Sequence, residues 1–149
     1  LASELDHGRG TASHVPPGIK NETKDKDMSY ETVELNVTKL SENKYRDGNK
    51  VYIVANLIER AKELEPFDLP LIALNASSNV WHPVSCAYDL ARKMKRVQQA
   101  DLNCPIVLDE SGFVMDGWHR IAKALFEGRE TIKAVRFKET PPCDYVEAE

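Results

Sequence analysis

Asp116-Gly117-Trp118-His119-Arg120 brings a carboxylate, a glycine, an imidazole and a guanidinium into one short stretch. Those are the residue types that handle a phosphate. Arginine offers a planar fork of donors matched to phosphate oxygens, and histidine donates a hydrogen bond or moves a proton near neutral pH. Asp116 suits a general base toward an attacking hydroxyl or water, or a ligand for Mg²⁺. On this reading Asp116 and His119 are the candidate catalytic residues, and Gly117, Trp118, His119 and Arg120 form the candidate phosphate cradle. Lys123, one turn on from His119, is a second-tier candidate. The same residues also admit a blander arrangement. In it Asp116 is an N-cap that occupies the first amides itself, His119 and Arg120 are a solvated first turn, and Trp118 fills the core instead of stacking on a base.

Either arrangement needs a corner, and the flanking sequence supplies one. Ile106-Val107-Leu108 favours a strand, Asp109-Glu110-Ser111-Gly112 is turn chemistry, and Phe113-Val114-Met115 resumes an apolar run, so a hairpin delivers the chain to Asp116. Beyond it Ile121, Ala122, Ala124 and Leu125 fall at helical spacing, and Gly128 stands where a helix end wants a left-handed residue. The change of period at Gly117 points a helix N-terminus, with its unpaired amides and positive dipole end, out of the corner. Thr131–Phe137 reads as a last strand.

The segment Met115-Asp-Gly-Trp-His-Arg-Ile-Ala-Lys-Ala-Leu-Phe-Glu-Gly128, followed by Thr131-Ile-Lys-Ala-Val-Arg-Phe137, resembles the signature turn and helix of the ParB/sulfiredoxin-like fold. In that superfamily a strand ends in Gly-X-His-Arg or Gly-X-Arg-Arg, a helix follows, and the turn holds nucleotide phosphates. The version here is most similar to small single-domain ParB-like proteins, which carry a stretch like Ala100-Asp101-Leu102 before the hairpin and often a His-Pro like His82-Pro83. The resemblance implies an α+β fold, a small mixed sheet with helices packed against it. It also implies a nucleotide ligand (ATP, ADP or CTP, with Mg²⁺), and it makes His82 and Arg96 second-tier site candidates. Sulfiredoxins place their reactive cysteine between the glycine and the histidine, where this chain has Trp118, so peroxiredoxin repair is not expected. Only Lys138 to Glu149 follow Phe137. Nothing there matches the DNA-reading and dimerisation domains of partitioning proteins, and DNA clamping by the chain alone is not expected.

The rest of the chain reads as support. Residues 1–27 mix Gly, Pro, Ser, His and charge without a period, which predicts a disordered tail or an added leader, with Met28 a candidate native start. Residues 28–138 are expected to form the domain and 139–149 an acidic tail. Val33, Leu35 and Val37 alternate with polar residues, predicting a strand over Tyr30–Leu40. Ser41 to Lys50 reads as a polar loop. Val51 to Leu64 predicts an amphipathic helix ended by Pro66, Leu71–Leu74 a short buried strand, and Val84–Gln99 a second helix. On that helix Arg92, Lys93, Lys95 and Arg96 are either a solvated face or a local patch for the phosphates of DNA or a nucleotide.

At 149 residues, with 30% charged and 42% hydrophobic residues, the chain has room for one buried core. Its net charge of -4 argues against a protein that coats nucleic acid through global charge. Cys86, Cys104 and Cys143 lack metal-ligand spacing, which predicts free thiols and a cytoplasmic setting, and no apolar run approaches a membrane span. Two function classes follow, beside a third possibility in which the fold is retained and the site binds nothing. One is an enzyme of phosphate chemistry, performing NTP hydrolysis, phosphoryl transfer or ParB-like phosphodiester cleavage. The other is a non-catalytic module whose nucleotide switches contact with DNA, a protein partner or a second copy. The enzyme needs a further acid or base, for which Glu31, Glu34, Glu59 and Asp101 all stand open. Replacing Arg120 is expected to abolish phosphate binding and spare the fold.

Overall fold

The computed structural model describes residues 29–36 and 38–149. Residues 29–33 lie outside any helix or strand and are exposed. The unit Glu34–Glu149 carries the fold. In chain order it consists of β1 (Lys44–Asp47), β2 (Lys50–Ile53), α1 (Val54–Ala61), β3 (Phe67–Pro70), α2 (Ala87–Gln99), β4 (Ile106–Leu108), β5 (Val114–Asp116), α3 (Trp118–Phe126), β6 (Thr131–Arg136) and β7 (Tyr145–Val146). Single 3-10 turns occur at Leu40–Glu42 and Leu71–Ala73. This is a small α+β fold with two sheets.

A four-stranded mixed sheet, ordered β3-β6-β4-β5, forms the centre. β4 runs parallel to β6, while β3 with β6 and β4 with β5 are antiparallel. Both faces of this sheet are covered, which is why all three residues of β4 are apolar and buried. On one face Ile106, Leu108, Ile132 and Ala134 pack with Ile121 and Ala124 of α3. On the other, Val107, Met115 and Val135 pack with Leu57 and Ala61 of α1 and Tyr52 of β2. The second sheet, β1-β2-β7, is antiparallel throughout. Asp144 fixes its last strand by accepting hydrogen bonds from the Ile53 amide and Asn56 Nδ2, each at 2.7 Å, and by pairing with Arg60 at 3.3 Å.

Five sequence expectations are corrected. No strand covers the described residues of Tyr30–Leu40: Tyr30 is 81% and Val33 78% exposed, so the alternation found no sheet edge to join. Val37 and the tail 1–27 with its Met28 junction lie outside the described residues. The first strands come from the supposed loop Ser41–Lys50, where Gly48 takes φ 61 and lets β1 fold back on β2. Val51 therefore belongs to a strand, and α1 starts only at Val54. Leu71–Ala73 is a 3-10 turn with Ile72 96% exposed, and it is the four residues before it that pair with β6. The second helix opens at Ala87, three residues later than expected.

Candidate functional site

The corner after β5 is built by a bulge and a glycine. Pairing runs from Val107 with Asp116 to Leu108 with Val114, so β5 spends an extra residue at Met115 and its end is re-aimed. Asp109 holds the hairpin turn by accepting hydrogen bonds from the amides of Ser111, at 2.9 Å, and Phe113, at 2.8 Å. Gly117 is the N-cap of α3 at φ 120 and ψ 14. A Cβ there would sit 2.8 Å from Ile106 Cβ, 3.2 Å from its Cα and closer still to Cγ2. Only glycine fits, for its backbone angle and for the approach of β4.

Asp116 does not cap the helix. No side chain bonds to the α3 amides from the N-cap position, so the first-turn N–H groups keep their outward direction. The carboxylate instead accepts from Arg120 Nη2 at 2.5 Å, with the two side chains only 20% and 16% exposed. Arg120 Nη1 donates to Pro105 O at 2.6 Å and Cys104 O at 3.2 Å. Arg120 thus clamps β5, α3 and the entry to β4, and its two terminal nitrogens are turned inward. The expectation that replacing it would spare the fold does not survive this geometry. Lys123 is committed as well: its Nζ donates to Gln98 O at 2.9 Å and Ala100 O at 2.7 Å, closing the C-terminus of α2.

His119 stacks on Trp81 with ring centroids 4.9 Å apart. Burial, followed by the positive charges of Arg96, Lys93 and Arg120, pushes its pKa down to about 4. Arg96 reaches the corner from α2, and its own pKa is lowered, first by burial and then by Arg92, against the pull of Asp116. Among the described residues Arg96 forms no hydrogen bond or ion pair. Arg92 Nε donates to Asn36 O at 2.7 Å, and Lys93 Nζ lies 5.3 Å from the Trp81 ring. Three members of the basic cluster are therefore turned toward the body of the fold. Lys95 sits ~200° around the helix from Lys93.

Gly117 and His119 open into a cleft of about 1150 Å³, walled by the β1–β2 hairpin, the Ser78–Trp81 loop, Arg96, the β4–β5 turn and Thr140–Cys143. Trp118 lines it too, while packing against the core beneath α3. His82 does not reach this cleft and borders a smaller cavity of about 290 Å³. Glu59 pairs with Lys62 at 2.5 Å, Asp101 accepts from the Asn103 amide at 2.9 Å, and neither they nor Glu34 line the cleft. The cleft brings in residues that sequence reasoning did not single out for the site: Tyr45, Asp47, Tyr52 and Trp81. Trp81, just before His82-Pro83, was the only one beside a quoted motif.

Among the described residues no group of three or more His, Cys, Asp or Glu side chains is placed to hold a metal ion, and no helix is long and apolar enough to cross a membrane. Comparison with protein-family models, with curated proteins and with solved structures finds no match.

Proposed function

We propose that the chain binds the phosphate end of a nucleotide at the α3 corner. One observation carries the reading. Arg96 brings a partly buried guanidinium, unpaired among the described residues, to the cleft into which the uncapped α3 opens. A desolvated cation without a counter-charge is costly. Phosphate oxygens supply charge and acceptors to the guanidinium and the amides together.

Burial first, and then Arg96, Lys93 and Arg120, keep His119 neutral, and an arriving anion offsets those cations and raises its proton affinity. His119 is then the group able to take a proton from a nucleophile or give one to a leaving oxygen. Asp116 is poorly placed as a base while Arg120 holds one of its oxygens. Oδ1 is its remaining oxygen, and a Mg²⁺ riding on the phosphates would use it as a single protein ligand, as Mg²⁺ commonly does. NTP hydrolysis, phosphoryl transfer or phosphodiester cleavage by a ParB/sulfiredoxin-like domain therefore runs through His119, with Asp116 oriented by Arg120. The Asp116–Arg120 pair also favours a second reading, a non-catalytic module in which the nucleotide acts as a switch.

Melting with ATP, ADP or CTP, each with Mg²⁺, and with inorganic pyrophosphate tests the binding. The expected stabilisation is about 2.7 kcal/mol at a hundredfold excess over Kd. Arg96→Ala should lose most of it without lowering the unliganded Tm. If no phosphate compound shifts the unmodified protein, the proposal fails. Phosphate release, with and without DNA, then separates turnover from switching.

A further inference from the structure

Behind Trp81 lies the smaller cavity of about 290 Å³. Trp81, Trp118, Ile121, Ala122 and Leu125 line it, with Ser78, Asn79, His82 and Lys93 among its polar groups. Ser78, Asn79, Val80, Trp81 and Trp118 also line the corner cleft, so the two spaces share a wall. Trp81 is that wall. His119 belongs to the cleft's lining and Lys93 to the small cavity's, and the indole is 39% exposed. We infer that this side cavity is the base-binding subsite of the corner, receiving the heteroaromatic ring of the ligand whose phosphates the α3 amides and Arg96 hold.

The inference rests on the phosphate reading and says which part of the ligand goes where. A volume just under the ~300–1,000 Å³ usual for a complete small-molecule site suits one flat ring and not a whole nucleotide. Every base offers a π-face to an indole, which makes stacking tolerant of base identity. Discrimination comes from the polar rim. The Lys93 ammonium has donors and no acceptor, while Ser78, Asn79 and His82 can each donate or accept, so Lys93 sets the bias. The rim therefore favours a ring edge that carries a carbonyl or a bare ring nitrogen.

Affinities of ATP, ADP and CTP, and of tripolyphosphate and pyrophosphate as base-free probes, test the assignment by calorimetry, with Trp fluorescence as a second readout. The nucleotides should bind at least about tenfold tighter than the base-free anion of equal phosphate number, the scale of one base–indole stack. Two variants should erase that preference, and the second should also leave tripolyphosphate affinity unchanged. Trp81→Ala removes the stacking face, and Ala122→Leu fills the cavity from α3 at a position outside the lining of the corner cleft. Trp81→Phe should restore most of the preference. If tripolyphosphate binds as tightly as ATP, or if both variants keep the preference, the subsite is disproved while phosphate binding stands. If no anion binds, both readings fall together.

Discussion

α3 and the inner face of α2 each deliver cations to one corner, and the two sets are used differently. Arg120 and Lys123 make hydrogen bonds to four backbone carbonyls between them, and Arg120 adds an ion pair with Asp116. Arg96 and Lys93 have a ring face and a cleft for neighbours. A basic residue inside a signature turn is therefore not the one most available to a ligand. Its own neighbourhood of strand ends and helix ends is rich in carbonyls, which satisfy its donors first. Among the described residues Arg96, a cation with unmet donors, comes from a helix distant in sequence, whose C-terminus Lys123 closes.

Gly117→Ala strikes the frame on which both sets depend. It forces a side chain into φ 120 and drives a Cβ into Ile106. Backbone strain of ~1–3 kcal/mol and overpacking of ~1–3 kcal/mol add to an expected loss of roughly 3–5 kcal/mol. Urea unfolding measures it. A loss under about 1 kcal/mol, which is within the range of an ordinary substitution, would mean that β4 does not press on the corner.

Arg120→Ala should come next. It strands a mostly buried carboxylate and two carbonyls. Breaking a buried pair costs ~3–5 kcal/mol, and partial exposure reduces the expectation here to roughly 2–3 kcal/mol. Arg96→Ala should cost almost nothing in stability, because it removes a desolvated charge that Arg92 opposes. Reversed results, with Arg96 stabilising the fold and Arg120 dispensable, would overturn the division between clamp and ligand.

How much of this was legible depended on whether the signal was local. The hairpin turn, the helix start at Gly117 and its stop at Gly128 were readable because each is fixed by a few adjacent residues: Asp109 holding its own turn, Gly128 at φ 68. The Tyr30–Leu40 strand failed because alternation describes a strand's faces and cannot supply an edge to pair with. β7 was invisible for the converse reason. Tyr145–Val146 is too short to show a period and is held by Asp144 reaching β2 and α1. Motif residues gave the location of the corner. Which of them keep free donors is decided by carbonyls and side chains that only the tertiary fold brings near.

The smallest predicted effect reads the electrostatics of the corner directly. In the fold His119 has a pKa of about 4, against 6.5 for an ordinary histidine. Between those values the unfolded chain holds a proton that the folded imidazole refuses. His119's contribution to stability is thus complete above pH 6.5 and is lost as pH falls toward 4. With the ring only half shielded, the loss is discounted to ~1–2 kcal/mol. The effect is read as the difference between the unmodified protein and His119→Gln, which has no proton to take up there. Urea midpoints at pH 7.5 and pH 4.5 should fall further for the unmodified protein. Bound pyrophosphate should shrink that difference, because its charge offsets Arg96 and Lys93 and lets the ring protonate in the fold. A ring resonance that titrates near 6.5 without ligand would show the imidazole solvated and the cations remote. The α2 face would then be an ordinary helix surface and Arg96 one more exposed arginine.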